Sequence, residues 1–458
     1  MSHSHNTVSP TSEPPNVLAT PIESVPDLEA CQQIQVYKRR WLVLLIFTLY
    51  SCSNAFQWIE YSVITNKVAA FYNISDSGVN WMALMYEIVY AVGILPATEF
   101  TNRFGLYPSV LLGAGLNVAG GWIKVASADP NLYWVSLLGQ FLAAVAQLFV
   151  LGLPPILAAV WFGANQVATA TAIGVFGNQV GIAIGFLVPP LFVTQVNVTQ
   201  HMATTASQLR NLYYFTGGNS TVLLILIILV FRSKPPHPPS LAQAAAQTSK
   251  VRESFFRTIK YLFMQRGFLL IFITYGINAG TFYAYSTLLN AIVLSYKAYK
   301  GEDNLIGYIG LTFVVAGIVG SILVGPVLDK THKYKLTTLI FYFAGFTFLA
   351  ACIGCLFSGL IWTVFLVNVF IGFFTTGYLP IGFEFCVEIT YPVSEITTAS
   401  LLNMSAQVVG IALTFVGQAL LDSPHLGANA CMGLFSGAIL VGAILSGRQF
   451  HKCLFEHF

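Results

Sequence analysis

The chain has 458 residues, 56% hydrophobic and 9% charged, with a net charge of +3. Soluble domains carry about 25% charged residues, so most of this surface must face lipid, and so small a net charge gives a nucleic-acid partner no footing. Continuous apolar runs at 41–50 and 222–231, without period-2 alternation, point to a helix bundle rather than a β-barrel.

Residues 1–36 are rich in Ser, Thr, Pro and Asn and read as a disordered tail without a signal peptide. A membrane span needs roughly 20 mostly apolar residues. That rule predicts helices over 40–65, 79–100, 107–127, 133–159, 166–193, 213–232, 266–296, 304–328, 336–357, 359–383, 394–420 and 428–449. The organisation expected is a cytoplasmic tail (1–37), a six-helix half (38–232), a cytoplasmic central loop (233–265), a second six-helix half (266–450) and a cytoplasmic tail (451–458). The central loop ends in VRESFFRTIKYLF, with apolar residues at helical spacing and basic residues between, and is expected to lie on the inner membrane surface. Cys352 and Cys355 form a CxxC spacing inside an apolar helix and read as packing residues; no disulfide is expected.

With the N-terminus inside, sixteen of the 21 basic residues fall on inner segments. The other five, Lys67, Lys124, Arg210, Lys297 and Lys300, fall on outer segments or helix ends, which sets both termini in the cytoplasm. Sequons at Asn73 and Asn197 lie in expected outer loops and are candidate glycosylation sites, implying the secretory route and the plasma membrane. A third sequon, at Asn403, falls in a span.

Each half places an acid and then a base in the short inner loop after its second helix: Glu99 with Arg103, and Asp329 with Lys330. This resembles the degenerate loop motif of the major facilitator superfamily, in which such charges pair with a neighbouring helix end and lock one state; charges that merely set topology are the other reading. The architecture implied is an all-α protein of two parallel six-helix halves, with a site between them near the midplane.

A closer resemblance is carried by NAFQWIEYSVITN (54–66), VWFGANQVATA (160–170), VFGNQVGIAIGFLVPP (175–190), YSTLLN (285–290), GLTFVVAGIVGSIL (310–323) and TGYLPIGFEFCVEITYPVSE (376–395). These strings resemble the feline leukaemia virus subgroup C receptor family over about residues 36–450. Members of that family are described as haem exporters and as facilitative carriers of choline and ethanolamine.

A quaternary ammonium ion donates no hydrogen bond, so a pocket must hold it by charge, by aromatic faces, or by both; each Trp or Tyr face contributes about 0.5–2 kcal/mol. Helix 1 offers Asn54, Trp58, Tyr61 and Ser62 on one face, and helix 7 offers Tyr283, Ser286, Thr287 and Asn290. Helix 4 adds Gln140 and Gln147, and helix 11 adds Asn403 and Gln407. The resemblance implies that the ammonium sits against Trp58 and Tyr283, with Gln147 and Gln407 completing the pocket. The alternative for each is packing, or interhelical hydrogen bonding in the case of the glutamines. Asn178 and Gln179, flanked by glycines, are expected to serve close packing of helix 5; Pro189–Pro190 and Pro380 are expected to mark bends or helix ends.

Two acids depart from that family's pattern, which has Gln and an apolar residue at the positions of Glu60 and Glu87. Acids inside a membrane are functional candidates by default. Glu60 is 200° around the helix from Trp58 and is expected near the outer mouth; either acid could attract cations or couple transport to protons. Glu384 and Glu388, which the family shares, are expected at the inner gate or in loop packing.

Haem is the rival cargo, but all eight histidines fall in tails or loops and helices 1, 4, 7 and 11 carry no mid-span Lys or Arg, which lowers that reading. A proton-coupled carrier of another small organic cation is a further alternative. No phosphate loop, GxSxG or HExxH is present, so neither an enzyme, a cofactor nor a metal is expected. The expected form is a monomer in the bilayer, with choline and ethanolamine left unseparated.

Overall fold

The computed structural model describes residues 34–195, 197–240, 243, 255–296, 299, 303–331, 333–390, 393, 395–423 and 425–453. Most of the expected N-terminal tail, the middle of the central loop and the last residues therefore lie outside the described residues.

Inside lipid every backbone N–H and C=O must find a partner within its own segment, so the apolar runs become helices. The first half comprises α1 (Arg39–Ile59), a 3₁₀ turn (Ser62–Ile64), α2 (Thr65–Tyr72), α3 (Asp76–Phe104), α4 (Leu106–Ala126), α5 (Tyr133–Gln147), α6 (Pro154–Trp161), α7 (Val167–Phe192) and α8 (Met202–Val230). A short α9 (Phe255–Met264) precedes the second half: α10 (Arg266–Leu294), α11 (Asp303–Thr331), α12 (Tyr334–Ser358), α13 (Ile361–Thr390), α14 (Glu395–Leu421) and α15 (Gly427–Cys453). Among the described residues, eleven helical spans are long and apolar enough to cross a membrane.

The fourth predicted span, 133–159, is not continuous. It stops at Gln147, unwinds through Leu148–Leu153, and resumes at Pro154. Pro154 has no N–H to donate and its ring clashes with the preceding turn, so it tolerates only the first helical position, which it occupies. The first span is also interrupted, at Glu60–Tyr61, immediately after Trp58 and Ile59. There the Thr65 hydroxyl donates to the Ser62 carbonyl at 3.0 Å, satisfying an acceptor that the broken ladder frees. Two boundaries also move outward: α8 starts at Met202 rather than 213, and α13 runs to Thr390 rather than 383. A helix need not stop where its apolar stretch does.

Within the first half, α1 packs on α7 and α4 on α5 and α8; within the second, α10 packs on α14 and α13 on α11 and α12. The α1–α7 contact depends on small residues. A Cβ at Gly177 or Gly181 would run into the carbonyl oxygens of Thr48 and Cys52, one helical turn apart on α1. Pro189 and Pro190 fall in the last turn of α7 and Pro380 lies inside α13.

The halves meet along α3–α14 and α7–α11, and where α10 passes the 3₁₀ turn. At the end of the bundle away from the chain termini, hydrogen bonds tie them together. Asn80 donates to Gln418 at 2.6 Å, Ser77 to Asp422 at 3.2 Å, and Asn290 to the Val63 carbonyl at 2.7 Å; within the second half, Gln418 donates to Asp422 at 2.8 Å. Asn73 and Asn197 are exposed at this same end. Asn73 caps α2 with φ 53°, a left-handed conformation that Asn tolerates better than most residues.

At the terminal end, α9 buries Leu262 and sets the Phe263 ring 5.2 Å from Phe272 of α10, while Arg257 and Lys260 are exposed. The expected inner-loop charges belong to helices. Glu99 and Arg103 are exposed in the last turns of α3, and the turn itself is made at Gly105 with φ 88°. Asp329 and Lys330 fall in the last turn of α11, with side chains outside the described residues. Glu384 and Glu388 are exposed near the end of α13.

Candidate functional site

Trp58 lies in the last turn of α1, beside the break, and Tyr283 lies midway along α10 in the other half. Their ring centroids are 5.5 Å apart with the planes at 83°. Two π faces from opposite halves thus form the walls of a corner. Trp58 is 4% exposed, Tyr283 is half-buried, and the Trp58 Nε1–H has no hydrogen-bond partner.

α3 and α14 line the same region. A point one Cβ above Gly410 is 2.9 Å from Glu87 Oε2 and 3.5 Å from Tyr283 Cβ, which sets the Glu87 carboxylate beside the aromatic corner. Glu87 is 1% exposed and neither of its oxygens has a hydrogen-bond partner. Asn403 stands beside Tyr90, which itself neighbours Tyr283. Gln407 is buried one turn along α14, between Asn403 and Gly410 on the same face. Gln147 ends α5 at the break, 5% exposed, with Oε1 unpartnered. Its neighbours on that helix face α1: the Ala143 carbonyl accepts from Asn54 at 2.9 Å and the Ala146 carbonyl from Tyr50 at 3.3 Å.

Buried polar groups in proteins are nearly all hydrogen-bonded, and each orphan costs about 1–3 kcal/mol. Here the Trp58 N–H, the Gln147 carbonyl and both Glu87 oxygens are all uncommitted. A small polar cation bound at the corner would meet ring faces on one side and a carboxylate on another. Tyr90 was not singled out from sequence; its place one turn from Glu87 on α3 was the available signal.

The other sequence candidates lie elsewhere. Asn54 does not join Trp58: its amide donates to Asn117 Oδ1 at 3.0 Å as well as to Ala143, inside the first half. Tyr61 is likewise turned inward, 2.8 Å from Ser136 and packed on the Tyr213 ring. Asn290 is engaged in the inter-half contact with Val63. Gln140 donates to the Gln57 carbonyl at 3.0 Å and accepts from Lys124 at 3.2 Å.

Glu60 requires a correction. It is not near an outer mouth but fully buried, ion-paired with Lys124, which is fully buried as well. Thr216 donates to its second oxygen at 3.3 Å, and the Lys124 ammonium stands 5.8 Å from the Tyr61 ring centroid. The break at Glu60–Tyr61 turns the carboxylate into the core of the first half, so it is not free to attract a cation. Lys124 does stand in the last turn of α4, as expected, but its side chain is buried rather than turned to the outer surface.

Comparison with known proteins places the chain. The model of the Major Facilitator Superfamily matches residues 43–415. The curated Choline/ethanolamine transporter FLVCR1 of Felis catus is 47% identical over 438 residues, covering 94% of this chain and 78% of that protein. Choline/ethanolamine transporter flvcr2a of Danio rerio is 46% identical over 432 residues (93% and 90%), and FLVCR2 of Homo sapiens 43% over 391 residues (85% and 73%). Among solved structures, a bacterial homologue of the lysosomal transporter Spinster, inward-facing and unoccupied, superposes with TM-score 0.65 at 14% identity, over 91% of this chain and 99% of that one. A D-xylose–proton symporter gives 0.63 at 14%, over 89% and 97%. Both show likeness of fold.

Proposed function

Because the chain belongs to the major facilitator superfamily, and within it to the feline leukaemia virus subgroup C receptor family, we propose that it carries choline and ethanolamine across a membrane by facilitative alternating access. The observation that supports this most is the Trp58–Tyr283 corner, built from one ring of each half. A site shared between halves is what alternating access requires, since rocking one half against the other exposes it to each side in turn. The ammonium group rests against the two ring faces, each contributing about 0.5–2 kcal/mol and more as water is excluded. Gln147, Gln407 and Asn403 are polar groups available to the substrate hydroxyl. Facilitative transport needs no further coupling group: the substrate gradient and, for a cation, the membrane potential set the direction.

The names of the curated relatives support the same substrates. Haem has no comparable support, since none of the eight histidines falls in one of the eleven spans. The chain acts at the plasma membrane with its termini in the cytoplasm, and Asn73 and Asn197 carry glycans on the outside. Removal of both sequons by Asn73→Gln and Asn197→Gln then abolishes the mobility shift that a glycosidase produces; a shift that persists contradicts this orientation.

Radiolabelled choline and ethanolamine flux tests the function itself. Cells expressing the protein are expected to take up and to release both compounds down their gradients, unaffected when sodium is replaced. Surface-expressed protein that moves neither compound sinks the reading.

A further inference from the structure

Glu87 is an acid buried to 1% exposure beside the aromatic corner, with both oxygens lacking a hydrogen-bond partner. The buried lysine of the neighbouring α4, Lys124, does not reach it, being held by Glu60. Gly410 packs on its carboxylate with Tyr283 next to it, and neither brings a positive charge. We propose that Glu87 is the ammonium-binding anion of the site, and that it makes this transporter prefer ammonium ions bearing N–H bonds, the ethanolamine class, over quaternary ones.

The inference rests on the choline/ethanolamine reading and adds to it a determinant of selectivity. Ring faces barely distinguish the two substrates, because cation–π attraction depends on charge and distance rather than on donated protons. A carboxylate does distinguish them. Its two oxygens offer about four acceptor sites. A quaternary ammonium turns methyl groups toward them and satisfies none; a primary ammonium donates up to three N–H bonds, and charge-assisted bonds of that type are about twice as strong as neutral ones. A site whose buried polar groups are built to be hydrogen-bonded rejects the analogue that leaves them unpaired. Coulomb attraction still draws choline, so choline remains a substrate with the weaker apparent affinity.

The test is the apparent KM for uptake of ethanolamine, its N-methyl and N,N-dimethyl derivatives, and choline, measured for wild type, Glu87→Gln and Glu87→Met at matched surface levels. In wild type the KM is expected to climb as each N–H is replaced by methyl. In both variants the series is expected to flatten, with ethanolamine weakened about tenfold or more and choline affected far less. Glu87→Gln preserves shape and polarity, so agreement between the two variants separates loss of charge from loss of packing. Wild-type transport with all four compounds weakened in parallel by the variants would overturn the selectivity role while leaving the proposed function in place. A wild-type protein that moves none of the four would overturn both.

Discussion

Two buried acids, Glu60 and Glu87, look alike in sequence and are opposites in the fold. Glu60 has a charged partner, a hydroxyl donor and no access to the space between the halves. Glu87 has no hydrogen-bond partner and sits at that space. The difference follows from where each backbone sends its side chain: the break after Ile59 turns Glu60 into the first half, whereas the continuous α3 presents Glu87 to α14. A buried ion pair contributes little net stability, yet removing one partner costs about 3–5 kcal/mol because the other charge is stranded. Lys124→Met alone is therefore expected to lower thermal stability and surface yield sharply, and Glu60→Leu combined with Lys124→Met to recover most of the loss, as read by thermal melting of the purified protein. A double variant as poor as the single one would show that the pair holds something beyond its own charges. Lys124 itself was legible only as a basic residue near a helix end. No local signal reports that a lysine 64 positions away will meet a given glutamate.

At the scale of elements, the informative features are the interruptions. Trp58 and Gln147 both stand immediately before a break in a span, so the site is framed by unwound backbone rather than by uniform helices. The break after Gln147 was foreshadowed by Gly152-Leu-Pro-Pro, though the apolar run through it reads as one helix. The break after Ile59 has no such marker. Thr65 bonds there to the Ser62 carbonyl three residues back, a local contact, while Glu60 pairs with Lys124 across 64 positions, a tertiary one. The α1–α7 seam was more legible, since glycines at 177, 181 and 185 repeat at helical spacing. Gly181→Leu is expected to cost more than the roughly 1–3 kcal/mol typical of overpacking, because the obstacle is the Cys52 carbonyl rather than a movable side chain. Size-exclusion profiles of the solubilised protein check this, and a monodisperse wild-type-like peak would contradict it.

For the whole molecule, the all-helical membrane architecture and the superfamily could be read from hydropathy and repeated loop charges, because lipid forces apolar runs into helices whatever their tertiary partners. The Trp58–Tyr283 pairing could be anticipated only through resemblance, since two residues 225 positions apart share no local pattern. The inward turn of Asn54 and Tyr61 could not be anticipated, because a shared helical face does not say which neighbour it meets. The bundle is latched at the end away from the termini by Asn80, Gln418 and Asp422. If transport requires that end to open, linking Asn80→Cys to Gln418→Cys with a short bifunctional thiol reagent should stop uptake, and a reducible linker should restore it on reduction. Undiminished uptake by fully cross-linked protein would exclude opening along the α3–α14 seam.

The central claim is that the ring faces of Trp58 and Tyr283 hold the ammonium group. Choline uptake by Trp58→Ala, Tyr283→Ala and Trp58→Phe, at surface levels matched to wild type, tests it most directly. Each alanine variant is expected to lose about tenfold or more in uptake efficiency, with Trp58→Phe falling between wild type and Trp58→Ala because a smaller π face remains. Wild-type uptake in both alanine variants would contradict the account and place the substrate elsewhere in the bundle.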